Sequence, residues 1–317
     1  MCAVEQGQWG VRGEVYTGRA LTEARDCLRR TGSQRSIAVL PVRSSEDGGS
    51  KGGKVSFPPL LPRSLTAVVT GFSTERASWN RDTLPEGAEK VRAVREMFDS
   101  IAPRYDLVNR IMTFRLDVRW RRKAVEALAL PLGSTVLDVA SGTGDLCVDL
   151  AKAGHRPISV DLSLGMLKAD RSGAPRVQAD ILRLPVADGS VDGVTCGFAL
   201  RNLVELPAFF QELARVVRPG GRIALLDVGV PRNPLVRLGH KLYFGKIVPM
   251  IGGWLSDPAA YRYLPRSVAY LPPTDQMVAS LRRCGFGDAR GRNFTLGVTQ
   301  LLTGSRARLA VDTVGAT

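Results

Sequence analysis

The sequence feature that most constrains the fold is an apolar segment that runs into a glycine turn and then into a helical pattern. Residues 136–146 read VLDVASGTGDL, and Gly142 and Gly144 allow the backbone to approach a ligand closely. Asp145 opens the helical pattern, whose first N–H groups are free to meet the same ligand. Strand, glycine turn and helix in this order are typical of a nucleotide-type crevice at the carboxyl edge of a parallel sheet.

The same alternation of buried strands and amphipathic helices continues along the chain. Apolar periodicity predicts strands at 135–140, 157–161, 176–179, 191–197 and 222–228, and helices at 145–153, 163–171 and 207–217. A helix at 274–284 and a closing strand pair at 292–303 follow. Because strands that alternate with helices pair in parallel, we expect an α/β fold with a mostly parallel sheet and helices on both faces.

Three helices are predicted before the glycine turn. The first runs from residue 86 to the stop at Pro103, the second covers 105–114, and the third covers 117–130 with Asp117 at its N-cap. Residues 1–87 are rich in Gly, Ser, Arg and Pro and lack sustained periodicity, which predicts a disordered extension. The alternative interpretation is that the translation start was assigned too far upstream, so that this segment has no function.

The acidic side chains of the crevice indicate which ligand it takes. The dinucleotide fingerprint needs a third glycine where Cys147 stands, and Asp145 would repel a diphosphate. Asp138 and Asp145 make the loop acidic, which suits a cation. Asp161, at the end of the second strand, is placed to accept hydrogen bonds from ribose hydroxyls. Asp180, after the third strand, is placed to accept one from the exocyclic amine of a purine. A ligand that contains adenosine, carries a positive charge and has no phosphate is S-adenosylmethionine. Taken singly, Asp161 could instead cap a helix and Asp180 could form a turn.

Six segments then resemble the ubiquinone/menaquinone biosynthesis C-methyltransferase family of class I methyltransferases. They are MFDSIAPRYD at 97–106, DVRWRRK at 117–123, LDVASGTGDL at 137–146, DLSLGML at 161–167, FALRN at 198–202 and YRYL at 261–264. The resemblance implies a Rossmann-like methyltransferase domain over 88–308, with a helical cap at 88–130, a lid insertion at 231–270 after the fifth strand, and a tail at 309–317.

The resemblance also implies an activity and a set of cofactor contacts. The activity is methyl transfer from S-adenosylmethionine to a ring carbon of a prenylated quinol, giving menaquinol from demethylmenaquinol. By motif, Gly142, Thr143 and Gly144 would line the cofactor, with Asp161 at the ribose and Asp180 and Ile181 at the adenine. Gly197 stands where the family commonly has serine, so a contact there would be made by backbone, and Ala199 replaces a usual glycine. A methyltransferase acting on another hydrophobic aromatic or polyketide-like molecule is the alternative.

Three residues near the crevice are candidates for catalysis. Arg201 could stabilise a phenolate or orient a water that takes the ring proton, and a salt bridge to Glu205 is the equally weighted alternative. Asn202 and Tyr105 could contact the acceptor hydroxyls, or serve capping and core roles. His155 is expected in a loop on the opposite edge, and His240 in the lid is a weaker catalytic candidate. With only two histidines and five scattered cysteines, we expect no metal centre and a reducing, cytoplasmic setting.

The positive charge lies outside the central part of the chain. Residues 124–231 carry 10 basic and 12 acidic side chains, whereas residues 232–317 carry 12 and 4. A nucleic-acid partner is not expected, because no recognition motif accompanies the charge. Basic and apolar residues mix in the lid, which favours peripheral contact with the anionic inner face of the plasma membrane; an ordinary lid with solvated charges is the alternative.

Overall fold

The computed structural model describes residues 87–308, apart from 256–259, 261–262 and 264–265, and three short strands nearer the N-terminus. Two of these strands, Cys2–Glu5 and Gln8–Val11, pair with each other in antiparallel orientation. The third, Ala38–Leu40, pairs with the edge of the main sheet. The expected disorder of residues 1–87 otherwise lies outside the described residues, as does the expected tail at 309–317.

The domain is built on one twisted sheet, and seven of its strands lie between residues 135 and 305. They are Thr135–Val139 (β1), Arg156–Asp161 (β2), Arg176–Gln178 (β3), Val191–Gly197 (β4), Val217–Val228 (β5), Arg290–Phe294 (β6) and Thr299–Ser305 (β7). Their spatial order is β3-β2-β1-β4-β5-β7-β6. The first five pair in parallel, and β7 runs antiparallel between β5 and β6. The order reverses between β1 and β4, where such sheets open a crevice.

Nine helices surround this sheet in the described part of the chain. They are Gly87–Ile101 (α1), Tyr105–Met112 (α2), Leu116–Leu128 (α3), Asp145–Lys152 (α4), Leu164–Ala169 (α5), Leu206–Val216 (α6), Pro234–Leu242 (α7), Val248–Leu255 (α8) and Thr274–Arg283 (α9). The predicted strands and helices are therefore confirmed within two residues at each end, except that β5 begins at Val217, five residues before its predicted start. A five-residue π-helical segment, Tyr243–Ile247, joins α7 to α8.

One predicted detail of α3 is wrong. The helix begins at Leu116 after Arg115, which adopts a left-handed conformation with φ of 61° and caps nothing with its side chain. Asp117 lies inside the first turn and is buried, where Arg110 and Arg121 pair with its carboxylate. Asp117 lies two positions after the N-cap, where an acidic side chain still interacts favourably with the helix dipole.

The two faces of the sheet bury different helices, as the alternation of side chains along a strand requires. Val136 and Leu226 pack with α3 and α4 on one face. Leu137 and Leu225, their sequence neighbours, pack with α6 and α9 on the other. The expected doubly covered, mostly parallel sheet is confirmed.

A separate apolar cluster lies above the carboxyl edge of the strands. It joins α1 and α2 to Met166 of α5 and to Val248 at the start of α8. Tyr243 and Phe244 pack against the same cluster, and the Tyr243 hydroxyl donates to the Met112 carbonyl at 2.7 Å. The amino-terminal helices and the lid thus meet each other over the crevice.

Candidate functional site

The glycine turn after β1 is held in a left-handed backbone path. Gly142 has φ of 58° and Gly144 has φ of 84°, a region that residues with a Cβ atom rarely adopt. A Cβ atom on Gly144 would lie 2.3 Å from a carboxylate oxygen of Asp170, so glycine is needed there for space as well as conformation. The turn therefore brings bare backbone to the carboxyl edge of the sheet.

Asp161 links the end of β2 to this turn. Its Oδ2 accepts from the Gly142 amide at 2.8 Å, and its Oδ1 accepts from the Ser163 amide at 2.8 Å. Burial raises the pKa of its carboxyl to about 6, against the lowering effect of those two backbone donors. Ser163, and not Asp161, caps α5 with its hydroxyl. Each Asp161 oxygen keeps a second lone pair for a ligand hydroxyl.

Asp138 lies beneath the turn and is fully buried. It accepts hydrogen bonds from the Thr195 hydroxyl at 2.8 Å and the Cys147 thiol at 3.5 Å. Burial raises the pKa of Asp138 to about 7, although both hydrogen bonds oppose the shift. The glycine turn is already acidic, and Asp138 thus adds to it a further carboxyl group that can ionise.

A cavity of about 150 Å³ lies against the turn. Five of the predicted cofactor residues line it, namely Gly142, Asp161, Asp180, Ile181 and Gly197. Two others, Asp138 and Thr143, line an adjoining pocket of about 30 Å³ together with Tyr105 and Arg121. Gly144 lies behind these surfaces as the N-cap of α4.

The helical cap is fastened to the cofactor loops by two aspartates that sequence reasoning missed. Asp99 of α1 accepts from the Ser163 hydroxyl at 2.6 Å and from the Gly165 amide at 2.8 Å. Asp106 of α2 accepts from the Thr143 hydroxyl at 2.5 Å and pairs with Arg171. Both lie in the MFDSIAPRYD segment, whose spacing of acidic residues could have suggested the role.

A second, larger cavity of about 440 Å³ lies between the cap, the lid and the ends of β5 and β7. Its wall is mostly apolar and includes Met97, Ile101, Trp120, Val228, Val236, Phe244 and Val248. Four residues, Phe98, Tyr105, Phe198 and Asn202, line both this cavity and the first. A group bound in one cavity therefore faces a group bound in the other across a thin wall.

Arg201 lines the larger cavity and is buried. Its Nη1 donates to Asp227 Oδ1 at 2.5 Å, and its backbone amide donates to Asp227 Oδ2 at 3.1 Å. The alternative of a salt bridge to Glu205 is therefore wrong, because the carboxylate that Arg201 binds comes from β5 and not from the next helical turn. Its Nε is buried with no hydrogen-bond partner in the described part of the chain.

Tyr105 and Asn202 occupy the wall common to both cavities. Burial raises the pKa of the Tyr105 phenol above its ordinary value, so the phenol is protonated near neutral pH. Its ring meets Phe98 edge-on, with centroids 5.9 Å apart. Asn202 ends a short 3₁₀ turn, Leu200–Asn202, and its Oδ1 accepts from the Tyr263 hydroxyl at 3.2 Å. Tyr263 is the described member of the YRYL segment.

Gly197 and Phe198 shape the end of β4. A Cβ atom on Gly197 would lie 2.8 Å from a methyl group of Leu146, so the larger side chain common in the family would require Leu146 to move. Phe198 adopts φ of 61°, which costs an L-residue about 1–2 kcal/mol and turns its ring between the two cavities. Ala199 follows, buried against the sheet core.

Two further polar groups on the larger cavity have no hydrogen-bond partner among the described residues. They are Nε2 of His240 and Oγ1 of Thr299, and neither atom is accessible to solvent. His240 belongs to α7 of the lid, whereas His155 precedes β2 at the opposite edge of the sheet, as expected. Thr299 was missed, because a threonine at the start of a strand carries no distinguishing pattern.

Comparison with known proteins gives a family and several relatives. A model described as the ubiE/COQ5 methyltransferase family matches residues 86–306. The demethylmenaquinone methyltransferase of Roseiflexus castenholzii is 40% identical over 236 residues, which cover 71% of this chain and 98% of that protein. The ubiquinone/menaquinone biosynthesis C-methyltransferase UbiE of Syntrophotalea carbinolica is 39% identical over 225 residues, covering 67% and 94%. The demethylmenaquinone methyltransferase of Mycolicibacterium vanbaalenii is 39% identical over 230 residues, covering 72% and 100%.

Proposed function

Because the chain belongs to the ubiE/COQ5 methyltransferase family, it is an S-adenosylmethionine-dependent C-methyltransferase of quinone biosynthesis, and we propose that its acceptor is demethylmenaquinol. The observation that carries the proposal is the wall shared by a small acidic cavity and a large apolar one. Two of the relatives are named for demethylmenaquinone, and both are covered almost completely by the match.

The smaller cavity suits S-adenosylmethionine in charge and in hydrogen bonding. Asp161 would accept the ribose hydroxyls, and Asp180 and Ile181 would flank the adenine. Among the residues that the structure describes, Arg95 is the one basic side chain on that wall, and it is paired with Asp99 at 3.9 Å. A phosphate would find few donors here, whereas a sulfonium cation gains from the neighbouring carboxylates.

The adjoining small pocket suits the amino-acid end of the same molecule. It presents Arg121, whose charge suits a carboxylate, and Asp138, whose ionised form would bind an ammonium. Gly142 and Gly197 line both pockets, so the backbone of the glycine turn would lie along the middle of the ligand. Thr143 would take part once its hydroxyl leaves Asp106.

The larger cavity suits an aromatic ring with a prenyl chain. Its apolar wall would cover the ring and the first part of the chain, while Tyr105 and Asn202 supply polar groups where the two cavities meet. Arg201 adds a guanidinium on the wall of the larger cavity. When bound, S-adenosylmethionine supplies an electrophilic methyl group. The protein then has to align donor and acceptor and limit the access of water, which an apolar cavity wall favours. Arg201 would stabilise negative charge on the acceptor oxygen, since Asp227 holds its guanidinium in place.

We also propose that the lid draws this acceptor from an anionic membrane surface. Leu235, Leu238, Met250 and Trp254 of α7 and α8 point to solvent, and Trp254 is 89% exposed. Tyr243, Phe244 and Ile251 pack inward, so the lid has a second apolar face beyond the one that covers the cavity. No helix among the described residues is both long and apolar enough to span a bilayer.

The charge of the lid also supports contact with an anionic membrane surface. Residues 231–255 contain Arg232, Arg237, Lys241 and Lys246 and no acidic residue. All four basic side chains are exposed. Exposed apolar residues flanked by cations are the composition of interfacial helices, and each cation near an anionic leaflet contributes about 1 kcal/mol to binding.

The acceptor assignment is tested with labelled S-adenosylmethionine and purified protein under anaerobic, reducing conditions. We expect methyl transfer to demethylmenaquinol, and slower transfer to a demethylated ubiquinol precursor. Asp161→Asn should weaken cosubstrate binding, and Leu235→Ala, on the outer face of the lid, should retain transfer to a short-chain acceptor. Tight cosubstrate binding without transfer to either quinol would contradict the proposal and favour another aromatic acceptor.

The membrane contact is tested separately by liposome flotation. We expect the protein to float with vesicles that contain phosphatidylglycerol and to remain in solution with pure phosphatidylcholine. Trp254→Glu should abolish flotation without lowering the turnover of a water-soluble acceptor analogue. Failure to float with anionic vesicles at low salt would reject the membrane-surface proposal and leave the acceptor assignment intact.

A further inference from the structure

The polar groups on the wall of the larger cavity are mostly engaged with other protein atoms. The Tyr243 hydroxyl binds the Met112 carbonyl, and the Thr295 hydroxyl accepts from the Trp120 indole at 2.9 Å. His240 differs, because its Nε2 is shielded from solvent and has no hydrogen-bond partner in the described part of the chain. A buried polar atom without a partner costs about 1–3 kcal/mol, and a ligand that supplies the partner recovers that cost.

The ring of His240 is held in place by its neighbour one helical turn on. It stacks on Phe244 with centroids 4.3 Å apart and planes inclined by 32°. Phe244 packs in turn against the apolar cluster between cap and lid. His240 therefore lies in the cavity wall, and Phe244 supports its imidazole on α7.

The titratable and charged groups around this cavity leave His240 as its neutral base. On or beside α7 these groups are Arg237, Lys241 and Tyr243, and across the cavity they are Tyr105, Asp117, Arg121, Arg201 and Tyr263. The arginines and the lysine offer no lone pair when charged. Burial raises the pKa of all three phenols, and the Asp117 carboxylate is occupied by two arginines. Burial lowers the pKa of His240 below its ordinary value, so the imidazole is neutral at pH 7.

We propose that His240 Nε2 accepts the hydroxyl proton of the acceptor as the methyl group is transferred. The O–H bond breaks and its proton moves to Nε2, while the oxygen lone pair is conjugated into the ring and raises electron density at the adjacent carbon. That carbon forms the new C–C bond as the methyl–sulfur bond breaks, and the bonding pair stays on sulfur, which becomes a neutral thioether. The ring proton then leaves to water, the oxygen recovers its proton from His240, and one proton is released in total.

This inference rests on the proposed function and adds a base to it. A positioned general base contributes about 10²- to 10⁴-fold to rate. Arg201 and His240 would act differently, since Arg201 stabilises an anion whereas His240 removes a proton. The role also gives a physical reason for a neutral imidazole on the mostly apolar wall of this cavity.

The test compares His240→Ala, His240→Gln and His155→Ala with the wild type at saturating levels of both substrates between pH 5 and 9. We expect wild-type turnover to fall at low pH as His240 becomes protonated. His240→Ala should lose about 100-fold or more and also lose that low-pH limb, while keeping its circular dichroism and cosubstrate affinity. Added imidazole should restore part of its activity. His240→Gln should remain slow, since an amide can bind a hydroxyl but cannot take its proton, and His155→Ala should resemble the wild type.

Three outcomes would overturn the role of His240. The first is a His240→Ala turnover within about threefold of wild type. The second is a lower rate with the low-pH limb intact, and the third is a slow variant that imidazole does not rescue, either of which indicates a packing role. A wild-type protein that binds its cosubstrate but methylates no quinol refutes the proposed function itself, and this inference with it.

Discussion

Replacement of Asp227 by asparagine tests whether the buried ion pair with Arg201 organises the acceptor side of the site. Asp227 is fully buried and Arg201 is 4% exposed. The carboxylate accepts from Arg201 Nη1, from the Arg201 amide and from the Val228 amide at 2.7 Å. Asp227→Asn keeps the shape but leaves the guanidinium without a counter-charge.

Removal of one partner from a buried pair costs about 3–5 kcal/mol, because an uncompensated charge remains in the interior. Domains are typically stable by about 5–15 kcal/mol, so Asp227→Asn should lose a large part of the unfolding free energy. With a urea m-value of about 3 kcal/mol/M, the unfolding midpoint should fall by about 1–2 M. Asp188→Asn is the matched control, since Asp188 pairs with Arg215 but has an 81% exposed side chain. Such a surface pair contributes about 0–1 kcal/mol.

A double replacement separates stability from activity. Arg201→Met with Asp227→Asn removes both charges and keeps an amide oxygen as acceptor for the two backbone N–H groups, and loss of a whole buried ion pair costs far less than loss of one partner. We expect this variant to regain most of the wild-type stability in urea unfolding and still fail to transfer methyl groups, because the guanidinium beside the acceptor is gone. The reasoning is refuted if Asp227→Asn costs no more than Asp188→Asn, or if the double variant retains wild-type turnover.

Two further predictions concern single side chains of the two cavities. The pKa of Asp161 is raised to about 6, and its charged form is the better acceptor for ribose hydroxyls, so protonation of Asp161 should lower cosubstrate affinity by up to tenfold per pH unit below 6. Calorimetry between pH 5 and 8 measures this, and an Asp161→Asn variant with the same pH dependence would contradict it. Thr299→Val removes a buried hydroxyl that lacks a partner among the described residues, so the ligand-free protein should gain about 1–3 kcal/mol in unfolding free energy while the acceptor KM rises. A loss of stability in that variant would mean that the hydroxyl is already hydrogen-bonded.

The sheet and its covering helices were predictable because their patterns are local. Neighbouring residues such as Val136 and Leu137 alternate between the two faces, and the turn at Gly142 and Gly144 marks the crevice without reference to any distant segment. The carboxylates expected at the strand ends lie at one edge, since parallel strands bring their carboxyl ends together.

The partners of the site residues were harder to predict because they are distant in sequence. Proximity in the sequence suggests Glu205 as the alternative partner of Arg201, whereas the carboxylate that Arg201 binds is that of Asp227, 26 residues away on β5. The motif places Thr143 at the cofactor, and in the structure the Thr143 hydroxyl binds Asp106 of the cap, which lies 37 residues earlier in the sequence. The larger cavity depends on cap, lid and β7 together, so no single segment of the sequence encodes it.

The wall of Phe98, Tyr105, Phe198 and Asn202 also has a thermodynamic consequence. Because each of these side chains touches both cavities, a ligand on one side restricts the rotamers available to the other. The two ligands then share one coupling free energy, and each changes the other's affinity by the same factor. If the first ligand orders the wall, the second binds without that entropy cost, so donor and acceptor bind cooperatively.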